Sequence, residues 1–412
     1  MNVHTRNKVL FFIGAGAEMV PGIRWACEMG LTVVAADMNP NAIGFQYADH
    51  AEVVSVKDVE RTVEAAKRYH HEIGVDGVMT LACDVPLTVA AVADALGLPG
   101  LSVAAAQVAQ DKLLMKHRLA EKGVPIPKFK EANSYEDAVA ACCDIGFPVV
   151  IKPIDNSGAR GISLVENESA LSQAFNWAKK NCFQKETFLV EEYLTGPQIS
   201  TESLVYDGKI YTTGFADRNY ELNHLFAPFF IEDGHTIPSE LRAEDQAEII
   251  KVVEKALPAL GIDFGVGKGD LVLTPQGPKV LEFAARLSGG RFSTDTVPLA
   301  TGVHLVKAMI KLSIGETIDP ADLEPKYNRG AAQRYFFPKP GRVTSVNGIN
   351  KANRPEWVNR VEIYVKPEDV IKQVTNHVER AGYVITSGET RAEAVERAEW
   401  ARSQIDIQTS SV

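Results

Sequence analysis

Residues 269–291 constrain the fold more than any other stretch, because they read as a β-hairpin carrying opposed acids at its open end. The turn is Thr274-Pro275-Gln276-Gly277-Pro278. With Gln276 at its midpoint, Leu273 faces Lys279, Leu271 faces Leu281 and Asp270 faces Glu282. Cross-strand partners lie roughly 5 Å apart, close enough for two carboxylates to share a divalent ion. Strand alternation puts Lys268, Asp270, Glu282, Ala284 and Arg286 on one face, and Leu271, Leu273, Leu281, Phe283 and Ala285 on the other. One face is core and the other carries charge. Taken alone, the hairpin is equally consistent with a solvated charged face.

A second element narrows the choice. Phe147-Pro148-Val149-Val150-Ile151-Lys152 is a buried-type strand ending in a lysine, followed by Pro153-Ile154-Asp155-Asn156-Ser157-Gly158-Ala159-Arg160-Gly161 and another strand, Ile162 to Val165. The backbone N–H groups of such a hairpin loop can cradle phosphate oxygens. It is not a Walker A loop, in which a lysine follows the last glycine and a helix comes next. Further on, Phe188-Leu189-Val190-Glu191-Glu192-Tyr193-Leu194-Thr195-Gly196-Pro197 is a strand running into an acidic, then glycine-proline, hinge.

In this order, Lys112 at a helix start, Lys152 at a strand end, the small-residue loop, the Glu-Glu-Tyr-Leu hinge and the Asp270/Glu282/Arg286 hairpin resemble the ATP-grasp superfamily over roughly residues 8–330. The tail resembles the C-terminal piece of its carboxylase-like and amino-acid-ligase branches. The resemblance implies an α/β (α+β ATP-grasp) fold. A parallel α/β domain spans 1–118, an ATP-grasp domain spans 119–330 with a lid at about 128–192 and a catalytic base at 193–330, and a small α/β piece spans 331–412. It further implies that Lys112 and Lys152 contact the α and β phosphates of ATP, point charges suited to that task. The loop from Asp155 to Gly161, with Ser157, Gly158 and Ala159, would fold over the β and γ phosphates. The main chain of Glu191, Glu192, Tyr193 and Leu194 would meet the adenine edge, with Glu191 or Glu192 as side-chain partner. Asp270 and Glu282 would bind magnesium or manganese. Arg286 would hold the carboxylate substrate and the oxyanion that develops on it. Arg334 resembles an active-site arginine of carboxylase-like relatives.

Two positions depart from the family pattern. Gln198 stands where many members place a glutamate on the ribose hydroxyls; an amide still accepts a hydrogen bond, without the charge. Ala284 stands where many carry a metal-ligating asparagine. Dipeptide-forming members also read Glu-x-Ala-Ala-Arg here, which tilts the resemblance toward amino-acid ligation and away from biotin carboxylases.

At 412 residues the chain has room for two to four domains on a prior of about 150 residues each, and 45% hydrophobic content allows full cores. A net charge of -10 with only short Lys/Arg runs argues against nucleic acid as a partner. The apolar run Val9 to Ile13 is shorter than the 7 to 15 residues of a signal-peptide core, and no stretch approaches the roughly 20 apolar residues of a membrane span. A cytoplasmic protein with no membrane partner is the expectation. Cys27, Cys83, Cys142, Cys143 and Cys182 form neither a C-x-x-C pair nor an even disulfide set. Neither H-E-x-x-H nor G-x-S-x-G occurs, so zincin and serine-hydrolase chemistry lack their starting residues.

The N-terminal third alternates strand and helix: Lys8 to Ile13, Val20 to Met29, Leu31 to Ala36, Val75 to Leu81, Pro86 to Leu96. Such alternation predicts a parallel sheet covered on both faces. Gly14 and Gly16 followed by Asp37 suggest a dinucleotide fingerprint, but its third glycine position is Met19 and Pro21 interrupts the helix start. An ATP-grasp N-terminal domain explains the same residues. Asp84 reads as a helix N-cap or as a substrate-lining residue. Arg218 and Arg291 are candidates for a substrate carboxylate or for surface salt bridges, and Asn219 to Glu240, with His224 and His235, is long enough to line an acceptor pocket. Helices are expected at Asp111 to Lys122 and Ser169 to Cys182, and one from Arg391, with Thr390 and Glu393 as a capping box.

The resemblance therefore implies an ATP-dependent carboxylate-amine ligase that proceeds through an acyl phosphate and releases ADP. Its partners are small-molecule carboxylates and amines, and it allows a homodimer. The competing readings are an ATP-grasp enzyme with another acceptor, an NAD-dependent oxidoreductase, and a nucleotide-binding module without catalysis.

Overall fold

The uninterrupted apolar run Val9–Ile13 is the centre of a four-stranded parallel sheet with Thr32–Asp37, His50–Val53 and Val75–Thr80. Both faces of such a strand are covered, so both sets of alternate side chains are apolar. Leu10 and Phe12 pack into one core with Leu305 and Ile310 of helix Leu305–Ser313. Phe11 and Ile13 pack into another with Ala65 and Val92 of helices Val59–Ile73 and Pro86–Leu96. These elements come from a computed structural model of the protein, which describes residues 6–411.

Two sequence readings are decided in this unit. Both carboxylate oxygens of Asp37 are taken by the chain's own turn, accepting from the Ala15 and Asn39 backbone N–H groups at 2.9 Å each. Met19 lies over the same turn, its Cε 2.9 Å from where a Cβ on Gly14 would stand. The residues of the partial dinucleotide fingerprint thus close on one another. Asp84 is not a helix cap: the cap of Pro86–Leu96 is Val85, with no side-chain hydrogen bond.

Strands Phe129–Ala132, Phe188–Glu192, Val149–Pro153 and Ser163–Val165, in that spatial order, form an antiparallel sheet. Helices Tyr135–Ile145 and Glu168–Lys180 cover it. The stripe Leu171, Ala174, Phe175 and Ala178 is buried against Val149, Ile151 and Phe188, as the 3.6-residue period demands. Cys142 is buried and Cys143 exposed on one helix, and all five cysteines are free thiols.

The largest sheet has eight strands in the order Gly277–Ala284, Gly265–Thr274, Gln198–Tyr206, Lys209–Asn219, Gly234–Ile237, Gly330–Tyr335, Gly382–Gly388, Val358–Ile363. It runs without a break across residue 330, because Gly330–Tyr335 pairs with Gly234–Ile237 on one side and with Gly382–Gly388 on the other. Helix Arg391–Gln404 covers this end, with Ala394 and Ala398 on Ala332, and its cap Thr390 accepts from the Glu393 N–H at 3.2 Å.

The hairpin at the opposite edge holds the expected pair in a different register. Its loop is only Pro275 and Gln276, since Thr274 pairs with Gly277, Leu273 with Pro278, Val272 with Lys279 and Leu271 with Val280. A bulge at Leu281 then restores Asp270 opposite Glu282. The extra residue turns the chain over: Val280 joins Leu271 and Phe283 in the core, while Leu281, expected there, lines the charged side. Val280→Ala should therefore lower unfolding free energy by about 2 kcal/mol in urea titration, and Leu281→Ala by under about 1 kcal/mol. The unbulged register demands the reverse ranking.

Candidate active site

A cavity of about 600 Å³ opens between the four-stranded antiparallel sheet and the large sheet. Lys152, Ser157, Gly158, Ala159, Glu191, Glu192, Tyr193, Leu194, Gln198, Asp270, Glu282 and Arg286 all line it. Residues expected from six separate stretches of chain thus meet at one place. Lys112, Gly161 and Arg334 are not on its wall.

On its wall a single carboxylate serves two lysines. Glu191 is ion-paired with Lys152 and, at 2.6 Å, with Lys116 Nζ, and all three side chains are almost fully buried. Burial alone would raise the Glu191 pKa; Lys116 and Lys152 beside it outweigh that and hold it below the ordinary value. Burial pushes Lys116 down to about 8, with Lys152 adding repulsion. Lys152 moves the other way, raised against its burial by Glu191 and then Glu282. Lys116 lies one helical turn after Lys112 on Lys112–Glu121. The i, i+4 spacing was the signal that could have flagged it.

Both acids expected as side-chain partners of adenine already have partners within the protein. The Glu191 carboxylate is committed to the lysines, and that of Glu192 accepts from the Lys128 N–H at 3.1 Å and from Lys279 at 3.0 Å. In the hinge main chain, Glu192 N–H donates to Lys128 O at 2.8 Å and Tyr193 N–H to Pro148 O at 3.2 Å.

The glycine loop is held at its base and tip. Asp155 accepts from the N–H groups of Phe183, Gln184 and Lys185, and these bonds keep its carboxyl low against burial. Gly158, Ala159 and Gly161 all have positive φ, at 64°, 62° and 78°, a path that glycine follows readily and alanine at a cost. Arg160 folds back onto Ser157, donating to its carbonyl and hydroxyl. Lys112 bonds the loop from outside: its Nζ donates to Asn156 O at 2.7 Å and lies 4.0 Å from Glu282.

Across the cavity, Asp270 is buried and bonded by Lys268, by Ser200 Oγ at 2.8 Å and by Arg218 at 3.4 Å. Burial opposes its charge, but Arg218 and Lys268 overcome that and hold the carboxyl well below the carboxylate range. Asp84, no cap, ion-pairs with Arg286 Nε at 2.6 Å. Arg286 in turn donates to Leu287 O. Among the described residues no three His, Cys, Asp or Glu side chains cluster as a metal cage. Two facing carboxylates, one of them held ionised, nonetheless suit magnesium, which takes one or two carboxylates and completes its shell with phosphate oxygens and water.

The rest of the cavity wall includes Tyr220 and Glu232, from the segment expected to line an acceptor pocket, and His377, Arg380, Tyr335 and Tyr383, which carried no motif. Arg218 belongs here, paired with Glu232 at 2.9 Å, and His235 lines the wall while His224 is exposed on the surface. Burial pushes His235 down to about 4. Arg291 lies behind this wall, bonded to Tyr383 OH at 2.8 Å and Glu362 at 3.3 Å. Arg334 is corrected outright. On its strand it alternates with the cavity-lining Tyr335, so it faces helix Arg391–Gln404, where Glu399 at 2.8 Å, Asn219 and Thr236 hold it.

Residues 111–321 match the family described as carbamoyl-phosphate synthase L chain, ATP binding domain. Residues 24–100 match the ATP-grasp N-terminal domain, and residues 334–410 the L-amino acid ligase C-terminal domain 2. The chain is 26% identical over 384 residues to the uncharacterized protein y4rH of Sinorhizobium fredii, covering 90% of this chain and 77% of that one. It is 27% identical over 278 residues to alanine–anticapsin ligase of Bacillus subtilis, covering 61% of this chain and 56% of that one. The chain thus spans little more than half the length of that ligase. Among solved structures, L-amino acid ligase from Bacillus licheniformis shares the fold with a TM-score of 0.83 at 22% identity, covering 99% of this chain and 100% of that one. No helix among the described residues is long and apolar enough to cross a membrane. The chain belongs to the family described as carbamoyl-phosphate synthase L chain, ATP binding domain, flanked by matches to an ATP-grasp N-terminal domain and an L-amino acid ligase C-terminal domain.

Proposed function

We propose that this chain joins a carboxylate, an amino acid above all, to an amine, using ATP and releasing ADP and phosphate. The observation that carries the reading is the convergence of Lys152, the Ser157–Ala159 loop, Asp270, Glu282 and Arg286 on one cavity. Its 600 Å³ falls in the usual range of roughly 300–1,000 Å³ for small-molecule sites. Lys152 meets the phosphates, with Glu191 and Lys116 fixing its ammonium group, and Lys112 steadies the loop above them. Adenine lies against the hinge, Glu191 to Leu194, and Gln198 accepts from the ribose. Asp270 and Glu282 would hold magnesium, which when bound would neutralise the charge of the terminal phosphates.

The substrate carboxylate is anchored by Arg286 and attacks the γ-phosphorus, giving ADP and an acyl phosphate. The amine then adds to the acyl carbon, and Arg286 neutralises the oxyanion of the tetrahedral intermediate as phosphate leaves. Positioning and charge neutralisation account for most of the work. Closure of the lid excludes water, which would otherwise hydrolyse the acyl phosphate. The Glu-x-Ala-Ala-Arg pattern at Glu282–Arg286 and the alanine–anticapsin ligase and L-amino acid ligase relatives favour an amino acid as the carboxylate over bicarbonate or formate.

ADP and phosphate release measured across the amino acids, singly and in pairs, tests this directly. Release with one or more amino acids is expected; release only with bicarbonate or formate, or in no mixture, refutes it. In an active mixture, Arg286→Ala should lower turnover on the order of 10²- to 10³-fold, as loss of an oxyanion donor does. A loss below about threefold removes Arg286 from the mechanism. EDTA should abolish ADP release and added magnesium restore it. Affinity for ATP should fall as pH rises through about 8, because Lys116 then loses its proton and Glu191 draws the charge of Lys152 away from the phosphates. Lys116→Arg, whose guanidinium stays charged, should extend the affinity plateau to higher pH in isothermal titrations.

A further inference from the structure

The tip of the glycine loop is met by the short turn His377–Glu379. The backbone N–H of His377 donates to the Gly158 carbonyl at 3.0 Å, and a methyl of Val378 lies 3.6 Å from where a Cβ on Gly158 would stand. The His377 ring lines the cavity, and its Nε2 accepts from the Glu232 N–H at 3.4 Å. Burial, with Arg380 and Arg218 adding repulsion, holds the ring well below its ordinary pKa. It is therefore neutral, with a lone pair free for that N–H. Glu232 pairs with Arg218 at 2.9 Å, and Arg218 reaches Asp270 at 3.4 Å. Arg380 lies 3.8 Å over the Tyr335 ring and donates to Glu232 O at 2.7 Å. One path of contacts runs from the phosphate loop, through His377 and Glu232, to the metal-side acid.

We propose that His377 is a positioning residue that latches the glycine loop over the nucleotide, its N–H holding Gly158 while its ring is moored to Glu232 on the cavity wall. The proposal rests on the ligase reading above for the identity of the nucleotide. It gives the C-terminal unit a part in closing the ATP site. A latch moored to the substrate side closes the loop most firmly when that side is in place, which is when water must be kept from an acyl phosphate.

The local backbone permits a clean test. His377 opens a short turn, His377–Glu379, after the extended Asn376 at φ -157 and ψ 169, a place where proline fits. His377→Pro deletes the N–H and the ring; His377→Ala deletes the ring alone. Hydrogen–deuterium exchange on the full chain, with and without the non-hydrolysable analogue AMP-PNP and magnesium, reads the loop (154–162) and the hinge (191–194) separately. AMP-PNP should protect both in the unmodified protein. In His377→Pro the hinge should stay protected, the loop should lose its protection, and the Kd for AMP-PNP should rise about tenfold, the worth of one backbone hydrogen bond. His377→Ala should lose loop protection in part. Loop protection in His377→Pro equal to that of the unmodified protein overturns the latch, as does equal protection in His377→Ala should the proline variant not fold. Absence of hinge protection in the unmodified protein refutes the nucleotide reading instead.

Discussion

Burying the Glu191 carboxylate between Lys116 and Lys152 ties together three pieces of chain that local structure leaves apart: helix Lys112–Glu121, strand Val149–Pro153 and strand Phe188–Glu192. Removing one partner from such a buried group leaves an uncompensated charge, at a cost of about 3–5 kcal/mol, whereas an exposed pair is worth under about 1 kcal/mol. The trio therefore sets where the hinge, the strand lysine and the base of the glycine loop stand relative to one another. It also leaves a surplus of positive charge, two ammonium groups to one carboxylate, on the side of the cavity where the ligase reading puts phosphate.

A second network faces it from the large sheet. Lys268, Arg218 and Ser200 surround Asp270; Arg218 and Arg380 bracket Glu232; Asp84 meets Arg286. Each buried charge has an opposite partner, so the wall carries ionised groups without stranding any of them in a low-dielectric interior. Arg286 is thereby aimed by an acid of the N-terminal unit, and Arg218 joins Asp270 of strand Gly265–Thr274 to Glu232 in the segment before strand Gly234–Ile237. The cavity is a meeting of units, in keeping with the tendency of ligand sites to form at such junctions.

What could be read from the sequence lay in contiguous runs. The strand ending in Lys152, the loop after it, the acidic hinge and the Asp270/Glu282 pair are each specified within about ten residues, the range over which alternation and turn chemistry operate. The helix Pro86–Leu96 and the buried stripe of Glu168–Lys180 were legible for the same reason. The hairpin register was not, because the bulge at Leu281 inserts a residue without altering the apolar pattern on either side. Arg334 misled because position on a strand leaves open which face meets a cavity and which meets a helix, and Asp84 because a cap and a salt-bridge acid look alike before a helix.

Glu232 and Tyr335 stand far along the chain from His377, Arg380 and Tyr383, and none of the five lies in a motif. They meet because the large sheet continues past residue 330 and carries the C-terminal strands round to the glycine loop. By itself the sequence determined the alternating N-terminal unit, the glycine loop between paired strands, the opposed acids and the charge each carries, since these depend on period and residue type over short spans. Only the tertiary structure decided which charges are buried together, which arginine faces the cavity and what touches the tip of the loop. Those follow from long-range strand order and from the pairing that burial enforces, and neither has a local signature.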